Sequence, residues 1–585
     1  MAILSQLRTQ MRQLGLEALI VPRADEFLGE YIPESNERMR FVSQFTGSAG
    51  LVIVTSTKAA VFVDGRYTVQ VKRQVDTVEF EIGDLGDAQA MAWLEANTAA
   101  GARVGVDAKT VCQTQFERWQ SLLQERALID TVNNVIDTVW SDRPTVVARQ
   151  GFTLAQSYTG EASESKRTRL GQTLQDMGLQ GFWVFLPESV SWLLNVRGSD
   201  IPQLPILQSH ALLKADGTVQ WFIEASRVPA DWQAQVGLGV SVHAPQELTE
   251  VLQEWSGQAV GADPLNTNAA SWQAMLNQGV LVISKPCPVM AAKAAKNRVE
   301  VEGTRQAHKR DAAAKATFLA WIDHTVASGQ FPNEAQLADK LHACRCHNPE
   351  FLEPSFSTIS AAGPNGALCH YNHRNGTPGS LINNSLYLVD SGGQYLDGTT
   401  DVTRTVAIGT PSEEMRRNFT LVLKGHIALA QIRFPKGTSG MQLDSLARQF
   451  LWQQELDFEH GTGHGVGSYL SVHEGPQRIA KAGSPTPLEK GMIVSNEPGY
   501  YKEDEYGIRC ENLQVVVSGD REGFYAFETL TLLPFDCRLM VLDMLTADEI
   551  SWLNAYHARV NAEVGPLVDA DTRAWLQQAT EPLSA

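Results

Sequence analysis

Four acidic residues and one histidine stand where they could form a metal site. Each acid ends or interrupts an apolar run, and the histidine lies in a glycine-rich segment; the five residues are Asp390, Asp401, His464, Glu497 and Glu511. Two unit charges about 4 Å apart repel by roughly 4 kcal/mol at an effective dielectric of 20, so acids that converge must take up protons or cations. The sequence therefore predicts a cation site if the fold brings these residues together.

The charge of this set matches two divalent ions. Asp390, Asp401, Glu497 and Glu511 carry four negative charges, and His464 adds one neutral nitrogen donor. An oxygen-rich set with a single imidazole is a hard ligand field, which favours Mn²⁺ and allows Co²⁺ or Zn²⁺. Two ions about 3.5 to 4 Å apart can share a bridging hydroxide and polarise a carbonyl group. The residues alone thus indicate a dinuclear hydrolase.

Short strands and turns must position these residues. Hydropathy predicts strands at 385–390, 401–408, 491–497 and 508–517, the last with Glu511 inside it, and helices at 413–433 and 440–455. The segment 391–398 is rich in turn residues, so the first two strands should form a hairpin that brings Asp390 and Asp401 together. Mixed strands and long helices favour an α+β domain.

An internal repeat organises the chain ahead of this region. Five residues recur 163 positions later: Leu7, Met11, Leu14, Gly15 and Leu16 match Leu170, Leu174, Met177, Gly178 and Leu179. Each copy reads as an amphipathic helix, a glycine and an apolar strand. We therefore expect two related α/β domains at 1–150 and 151–295 and an α+β domain at 296–585, whose first helix begins after Asn297, with Glu300 at the third helical position.

Composition excludes several classes of partner. The 585 residues include 48 Lys and Arg against 66 Asp and Glu, a net charge of −18, which leaves no electrostatic footprint for nucleic acid. No apolar run approaches the roughly 20 residues of a membrane span, and the N-terminus lacks the apolar core of a signal peptide. The seven cysteines are scattered and odd in number, which favours a reducing compartment. We expect a cytoplasmic protein.

The local strings around the five residues resemble a known family. VDSGG, GTTDVTRT, HGTGHGVG, NEPGYY and RCENL occur here in the order found in the pita-bread metallopeptidases, which include methionine aminopeptidase, prolidase and Xaa-Pro aminopeptidase. That resemblance covers about 298–585. The two α/β domains, with the strings FTGSAG at 45–50 and DGRY at 64–67, extend it to the three-domain cytoplasmic Xaa-Pro aminopeptidases, whose N-terminal domains are creatinase-like.

The resemblance implies a role for each of the five matched residues. It implies that Asp390 binds one ion through both oxygens and that Asp401 and Glu511 bridge two ions. His464 and Glu497 would complete the other ion. Glu497 would also take the proton of the bridging water and deliver it to the leaving nitrogen.

Five further residues match the surroundings of the family's metal site. His370 and His473 would hydrogen-bond the substrate and the tetrahedral oxyanion, and His460 would line the substrate cleft. Arg509 would orient Asp390, and Tyr501 would join His370 and His473 around an apolar recess for proline. Each histidine could instead be structural, and Arg509 could form an ordinary buried ion pair.

The resemblance implies a peptidase that is selective for proline. An Xaa-Pro bond is a tertiary amide without an N–H, so a site that needs only the carbonyl oxygen and a free N-terminus can cleave it. The implied activity removes the first residue from peptides with proline second, in a homodimer. Trp452 is expected to pack in the core, with a contact to the partner's cleft as the alternative. The alternatives are a prolidase restricted to dipeptides and a non-catalytic peptide-binding module, although the latter should have lost ligand residues.

Overall fold

A computed structural model describes residues 2–146 and 148–584 of the chain. It comprises two compact units. The first takes in the chain up to Gln156 together with Glu161–Val289, and the second takes in Ser157–Gly160 and the chain from Met290 onward.

The first unit contains two six-stranded sheets with the same topology. In spatial order, the strands of one sheet are Glu81–Asp84, Ala59–Val63, Leu51–Thr55, Ala18–Pro22, Arg103–Val106 and Ala127–Asp130. Those of the other are Val240–His243, Val219–Phe222, His210–Lys214, Gly181–Val184, Ala259–Ala262 and Leu281–Ser284. Parallel and antiparallel pairs fall at the same places in both sheets. The predicted repeat of α/β domains is confirmed.

Helices cover these sheets. Those of the first sheet are Ala2–Gln13, Arg38–Ser43, Thr68–Gln74, Asp87–Ala96 and Gln113–Leu122. Those of the second sheet are Ser163–Asp176, Pro187–Leu194, Trp232–Val236, Leu248–Gln253 and Ala269–Asn277. Two further helices, Gln156–Thr159 and Pro288–Ala294, lie where the chain passes from one unit to the other. A short strand pair, Phe152–Thr153 with Val196–Arg197, completes the set.

The repeated glycines explain how each repeat turns from helix to strand. Gly15 has a φ of 64° and Gly178 a φ of 72°, a left-handed backbone that glycine adopts without a steric penalty. Before each glycine the helix buries its apolar face, through Leu7 and Met11 in the first copy and Leu170 and Leu174 in the second. The pattern read from the sequence therefore encodes the same local fold twice.

The second unit has the predicted α+β composition. Its helices are Arg298–Ala327, Glu334–Cys346, Glu413–Gln431, Gly440–Trp452, Ala547–Val564 and Ala570–Ala579. A three-stranded sheet is formed by Ile359–Ala362, Ser385–Ser391 and Val402–Ile408. A six-stranded sheet runs in the order Arg433–Pro435, Phe524–Thr529, Asn512–Ser518, Ile493–Asn496, Gly463–Gly465 and Glu474–Ile479. Smaller sheets pair Glu353–Pro354, Gly393–Tyr395 and Gly398–Thr399, and Gly499–Lys502 with Tyr506–Arg509.

The first helix of this unit begins at the predicted cap. The Asn297 side chain accepts hydrogen bonds from the backbone N–H groups of Val299 and Glu300, at 2.9 and 3.1 Å. The Glu300 carboxylate accepts the N–H of Asn297 at 3.0 Å, which completes a capping box. Farther along, the helix buries Phe318 and Ile322 in the core of the unit.

The single strand predicted at 508–517 is wrong. The structure has two strands, Tyr506–Arg509 and Asn512–Ser518, which belong to different sheets. Between them, the N–H of Cys510 donates to the carbonyl of Pro498 at 3.1 Å, and the N–H of Glu511 donates to the carbonyl of Thr403 at 3.3 Å. Glu511 therefore lies where the chain crosses from one sheet to the next, and these two contacts hold it there.

Two global features bear on the expected environment. All seven cysteines, which fall within the described ranges, are free thiols. Four of them, Cys287, Cys344, Cys369 and Cys510, are buried. Among the described residues, no helix combines the length and the apolar character that crossing a membrane requires. The cytoplasmic location remains a prediction.

Candidate metal centre

A hairpin brings the two aspartates to one place. Strands Ser385–Ser391 and Val402–Ile408 pair antiparallel, with Asp390 opposite Thr403. Asp401 directly precedes the second strand. The relative exposure of Asp390 is 8% and that of Asp401 is 4%, so both carboxylates are withdrawn from bulk water.

Two more acids and the histidine converge on these aspartates. Asp401, His464 and Glu511 each offer a ligand atom, and those atoms all lie within 4.8 Å of one another. The Nε2 atom of His464 lies 3.4 Å from Oε1 of Glu497 and 3.6 Å from Oδ2 of Asp401. Asp390 lies outside the group formed by Asp401, His464 and Glu511. Hydrogen bonds through Arg509 and Thr403 connect it to Glu511. The structure thus gathers the five predicted residues in one region.

The hydrogen bonding of His464 fixes which nitrogen faces the acids. Its Nδ1 lies 2.9 Å from the carbonyl oxygen of Gly465. A carbonyl only accepts, so Nδ1 carries the proton, and in the neutral ring Nε2 presents its lone pair toward Asp401 and Glu497. Ser495 links His464 and Glu497, because its hydroxyl accepts the backbone N–H of His464 at 2.9 Å and donates to Glu497 Oε1 at 3.1 Å.

The glycine at 463 permits this close approach. A Cβ atom at Gly463 would lie 2.0 Å from the carbonyl oxygen of Ser495, which is far inside van der Waals contact. The strand carrying His464 can therefore press against Ile493–Asn496 only with glycine at 463, which explains part of the glycine-rich string that surrounds the histidine.

Arg509 positions two of the acids, Asp390 and Glu511. Its Nη2 donates to Oδ2 of Asp390 at 2.7 Å, and its Nε donates to the hydroxyl of Thr403 at 3.0 Å. That hydroxyl donates in turn to Oε2 of Glu511 at 2.7 Å. One guanidinium therefore orients Asp390 directly and Glu511 through Thr403.

Burial and mutual repulsion perturb the acids. Burial raises the pKa of Asp401, and the charge of Asp390 raises it further. Burial and the charges of Asp401 and Asp390 raise the pKa of Glu511 well above its usual range. Burial also raises the pKa of Glu497. For Asp390 burial acts in the same direction, but the adjacent Arg509 guanidinium outweighs it, so its pKa is lowered.

The imidazole of His464 responds to the same acids. Burial would lower its pKa, but the hydrogen bond to Asp401 and the charge of Glu497 raise it to about 9. A histidine surrounded in this way attracts a proton or another positive charge.

The residues present fit two divalent ions. The buried Oδ1 atoms of Asp390 and Asp401 have no hydrogen-bond partner among the described residues, although buried carboxylate oxygens are almost always paired. Four carboxylates face one arginine, which leaves excess negative charge in a buried region. Carboxylate oxygens with a single imidazole nitrogen form a hard donor set. Cations held here would satisfy both the unpaired oxygens and the charge.

Three outer residues form a chain that leads away from Asp390. The Nη1 atom of Arg509 donates to the hydroxyl of Tyr501 at 2.7 Å, and that hydroxyl lies 2.7 Å from Nε2 of His460. The Nδ1 atom of His460 lies 2.8 Å from the carbonyl oxygen of Gly461, so Nδ1 carries the proton and Tyr501 donates to Nε2. Tyr501 and His460 are therefore linked to the acids through Arg509.

The remaining two histidines border the same region. The ring of His473 packs against that of His464, with centroids 4.2 Å apart and planes at 65°. His370 follows Cys369, whose carbonyl oxygen accepts a long hydrogen bond of 3.5 Å from Arg509. His370 and His473 are both partly exposed.

Lys315 is a contributor that sequence reasoning missed. Its side chain is fully buried, and its Nζ donates to the carbonyl oxygens of Ser391 at 2.9 Å and Val402 at 2.6 Å, the residues that follow Asp390 and Asp401. Burial lowers the pKa of Lys315 to about 7. The available signal was a lysine on the apolar face of a predicted helix, where a charged group needs buried partners.

Known proteins match the chain over its full length. A probable Xaa-Pro aminopeptidase P of Tuber melanosporum (strain Mel28) is 37% identical over 99% of this chain and 98% of that protein. Aminopeptidase P1 of Arabidopsis thaliana is 35% identical over 100% of this chain and 99% of that protein.

Family models match consecutive parts of the chain. The model of metallopeptidase family M24 matches 302–518, and that of the C-terminal region of peptidase M24 matches 523–583. Models of the creatinase/prolidase N-terminal domain match 4–139 and 142–300. The chain therefore belongs to metallopeptidase family M24, and the fold class predicted from the sequence is confirmed.

Within this family, the chain is similar throughout to a structure of known activity. The crystal structure of X-prolyl aminopeptidase from Caenorhabditis elegans superposes with a TM-score of 0.94 at 34% sequence identity and covers 100% of this chain and 99% of that one. That protein is described as a cytosolic enzyme with a di-nuclear active site.

Proposed function

We propose that this chain is a two-metal aminopeptidase that removes the first residue from peptides with proline in the second position. The observation that carries the proposal is the buried convergence of Asp401, His464 and Glu511, with Glu497 and Asp390 beside them. Similarity over the full length to proteins named Xaa-Pro aminopeptidase P supports the substrate class. The extra N-terminal domain and this full-length match favour an aminopeptidase over a prolidase limited to dipeptides.

We assign the five residues as the metal ligands. Asp390, Asp401, His464, Glu497 and Glu511 would hold two divalent ions, for which Mn²⁺ suits the oxygen-rich set best and Co²⁺ and Zn²⁺ are alternatives. Ions held there would supply Lewis acidity, which makes water nucleophilic at neutral pH and polarises the scissile carbonyl.

Protein groups then carry the proton and hold the substrate. Glu497 accepts a proton from the attacking water and returns it to the proline nitrogen as the C–N bond breaks, while Ser495 keeps one of its oxygens in place. His370 and His473 hydrogen-bond the substrate and the developing oxyanion, and His460 lines the cleft. Arg509 keeps Asp390 ionised and aligned by its direct hydrogen bond.

Selectivity for proline follows from which groups of the substrate this site recognises. The bond before proline lacks an N–H, so an enzyme that depends on that donor cannot use it. Recognition here needs the carbonyl oxygen, the free N-terminus and a recess for the pyrrolidine ring. Tyr501, held by Arg509 and His460, forms one wall of that recess, with His370 and His473 as the others.

We also propose a homodimer that works in the cytosol. Trp452 ends the helix Gly440–Trp452 with 45% of its surface exposed, and Met441 on the same helix is 40% exposed. Large apolar side chains of this kind are suited to a subunit contact. Sedimentation of the wild type and of Trp452→Ala tests this, because a dimer that survives the substitution unchanged would exclude a contact at Trp452.

The activity is tested on the full chain after chelation and reloading with Mn²⁺, Co²⁺, Zn²⁺ or Mg²⁺. We expect chelation to abolish release of arginine from Arg-Pro-Pro and Mn²⁺ to restore it, with slower cleavage of Gly-Pro. Cleavage of Gly-Pro alone would favour the prolidase alternative. Recovery with Mg²⁺ only, or no release of arginine with any of these ions, would contradict the proposal.

A further inference from the structure

A buried glutamate outside the metal cluster makes four hydrogen bonds. Glu334 is the first residue of the helix Glu334–Cys346, and its relative exposure is 0%. Its Oε1 accepts the N–H of Ala362 at 2.8 Å and the amide Nδ2 of Asn365 at 2.9 Å. Its Oε2 accepts the hydroxyl of Tyr371 and the N–H of Gly379, both at 2.6 Å.

Three of the four donors belong to the segment that carries His370, and the fourth directly precedes it. We call residues 363–379 the histidine loop; Ala362 directly precedes it, Asn365 lies near its start, Tyr371 follows His370, and Gly379 ends it. A single carboxylate therefore ties together the beginning, the middle and the end of the histidine loop.

The position of Glu334 suits a carboxylate. Backbone N–H groups and a helix N-terminus both favour negative charge, and each bond to an ionised acceptor is stronger than one between neutral groups. Burial and the hydrogen bond to Glu334 raise the pKa of Tyr371, so its phenol remains a donor at neutral pH.

The opposite side of the histidine loop packs on the strand that carries Arg509. A Cβ atom at Gly507 would lie 1.7 Å from the carbonyl oxygen of Gly366, so the two backbones touch there. Farther along the loop, the carbonyl of Cys369 accepts from Arg509. The loop is thus held between Glu334 on one side and the strand Tyr506–Arg509 on the other.

We propose that Glu334 is a positioning residue for His370, because it holds the histidine loop and so fixes where that histidine meets the substrate. The kinetic consequence rests on the proposed function, whereas the structural consequence does not. Glutamine is nearly isosteric but accepts through one oxygen only, and its amide N–H groups would oppose two of the four donors. Glu334→Gln should therefore release one side of the loop without leaving a cavity.

Kinetics on the metal-loaded full chain provide the first test. We expect Glu334→Gln to lower kcat/KM for Arg-Pro-Pro about 10-fold, since small misplacements of a group that contacts substrate are costly, while two metal ions per chain are retained. On a His370→Ala background, adding Glu334→Gln should change kcat/KM by less than about twofold, because residues that act through one another are not additive. Full additivity, or wild-type kinetics for Glu334→Gln, would overturn the proposal.

A matched control separates positioning from general loss of stability. Glu549 is partly buried, with 12% of its side chain exposed, and accepts from Lys424 Nζ at 2.6 Å and from the N–H of Thr546 at 2.8 Å, in the helix Ala547–Val564. Glu549→Gln should lower the thermal midpoint but leave kcat/KM within about twofold of the wild type. If Glu549→Gln reduced activity as much as Glu334→Gln does, a positioning role would be excluded.

Hydrogen exchange tests the structural claim without activity. Glu334→Gln should accelerate amide exchange within 363–379, and Glu549→Gln should not. Unchanged exchange in the histidine loop would overturn the proposal even for an active enzyme. A wild type that fails to cleave Xaa-Pro peptides would refute the proposed function while the exchange result still decides the role of Glu334. If Glu334→Gln fails to fold, Tyr371→Phe removes one of the four bonds and should accelerate exchange at the same place.

Discussion

Two groups of buried carboxylates in the second unit are balanced in different ways. Asp311 accepts 2.7 and 3.1 Å hydrogen bonds from Arg345, and Glu474 is held by Lys293 and Lys296. Burial would raise the pKa of Asp311 and of Glu474, but these cations outweigh it, so both pKa values are lowered. Lysine and arginine side chains of the same chain therefore balance the negative charge of Asp311 and Glu474.

The acids of the metal centre are not neutralised in this way. Among the described residues, Asp390 forms an ion pair with Arg509, whereas burial and repulsion raise the pKa values of Asp401, Glu497 and Glu511. The difference is informative because the other buried acids described for this unit have full sets of partners: Asp311 and Glu474 contact arginine or lysine, and Glu334 accepts four hydrogen bonds. Negative charge left without such a partner indicates a place where cations bind.

The largest effect is expected for Asp401→Ala. Removing an acid that faces both His464 and Glu511 should lower kcat/KM by about 1,000-fold or more and reduce the bound metal, as measured by peptide cleavage and elemental analysis. The metal-free variant should unfold no earlier than the metal-free wild type, since one of several repelling charges is gone. A metal-loaded variant that keeps more than a few per cent of the activity would contradict the assigned role.

Arg345→Met tests whether the buried acid Asp311 needs the cation that the chain supplies to it. The substitution leaves Asp311 buried without the arginine that donates to both of its oxygens, so the free energy of unfolding should fall by about 3 to 5 kcal/mol. Urea denaturation of the metal-free protein measures this effect. Adding Asp311→Leu should recover much of the loss, and a single variant as stable as the wild type would show that this pair does not serve the fold.

Asp25 in the first unit is a buried acid of a third kind, because its hydrogen-bond donors are all neutral. Its oxygens accept the N–H groups of Phe27 and Gly29 at 3.0 Å and the amide of Gln208 at 2.9 Å, and burial raises its pKa to about 7. A carboxyl whose pKa is raised on folding contributes stability at low pH that is lost as the pH rises toward 7.

Asp25→Asn should remove the part of the pH dependence of the unfolding free energy that Asp25 causes. The amide cannot ionise, so its advantage over the wild type should be small near pH 4 and grow to a few kcal/mol by pH 8, as measured by denaturation of the first unit across that range. Gln208 can turn its amide to accept from the new side chain. A difference between the two proteins that does not vary with pH would show that Asp25 is ionised throughout.

The sequence predicted those features that short patterns encode. The helix, glycine and strand repeat gave both N-terminal domains, because Gly15 and Gly178 mark the same left-handed turn. Acids within apolar runs stood out one by one, and the hairpin between Ser385–Ser391 and Val402–Ile408 follows from the turn-rich residues between its strands.

What the sequence did not predict depends on distant partners. The strand expected at 508–517 breaks because Cys510 and Glu511 bond to Pro498 and Thr403, which hydropathy does not encode. Lys315 and Glu334 were missed as contributors for the same reason, since their roles depend on hydrogen bonds to residues 28 to 87 positions away. Lys315 has a local signal as a charged residue among alanines, whereas Glu334, between Asn333 and Ala335, has none of this kind.

Diffraction on crystals grown with Mn²⁺ tests the central claim most directly. Data collected on both sides of the manganese absorption edge should show two anomalous peaks about 3.5 to 4 Å apart, enclosed by Asp390, Asp401, His464, Glu497 and Glu511. The same side chains gathered around a site without anomalous signal, or peaks found only elsewhere, would contradict the account.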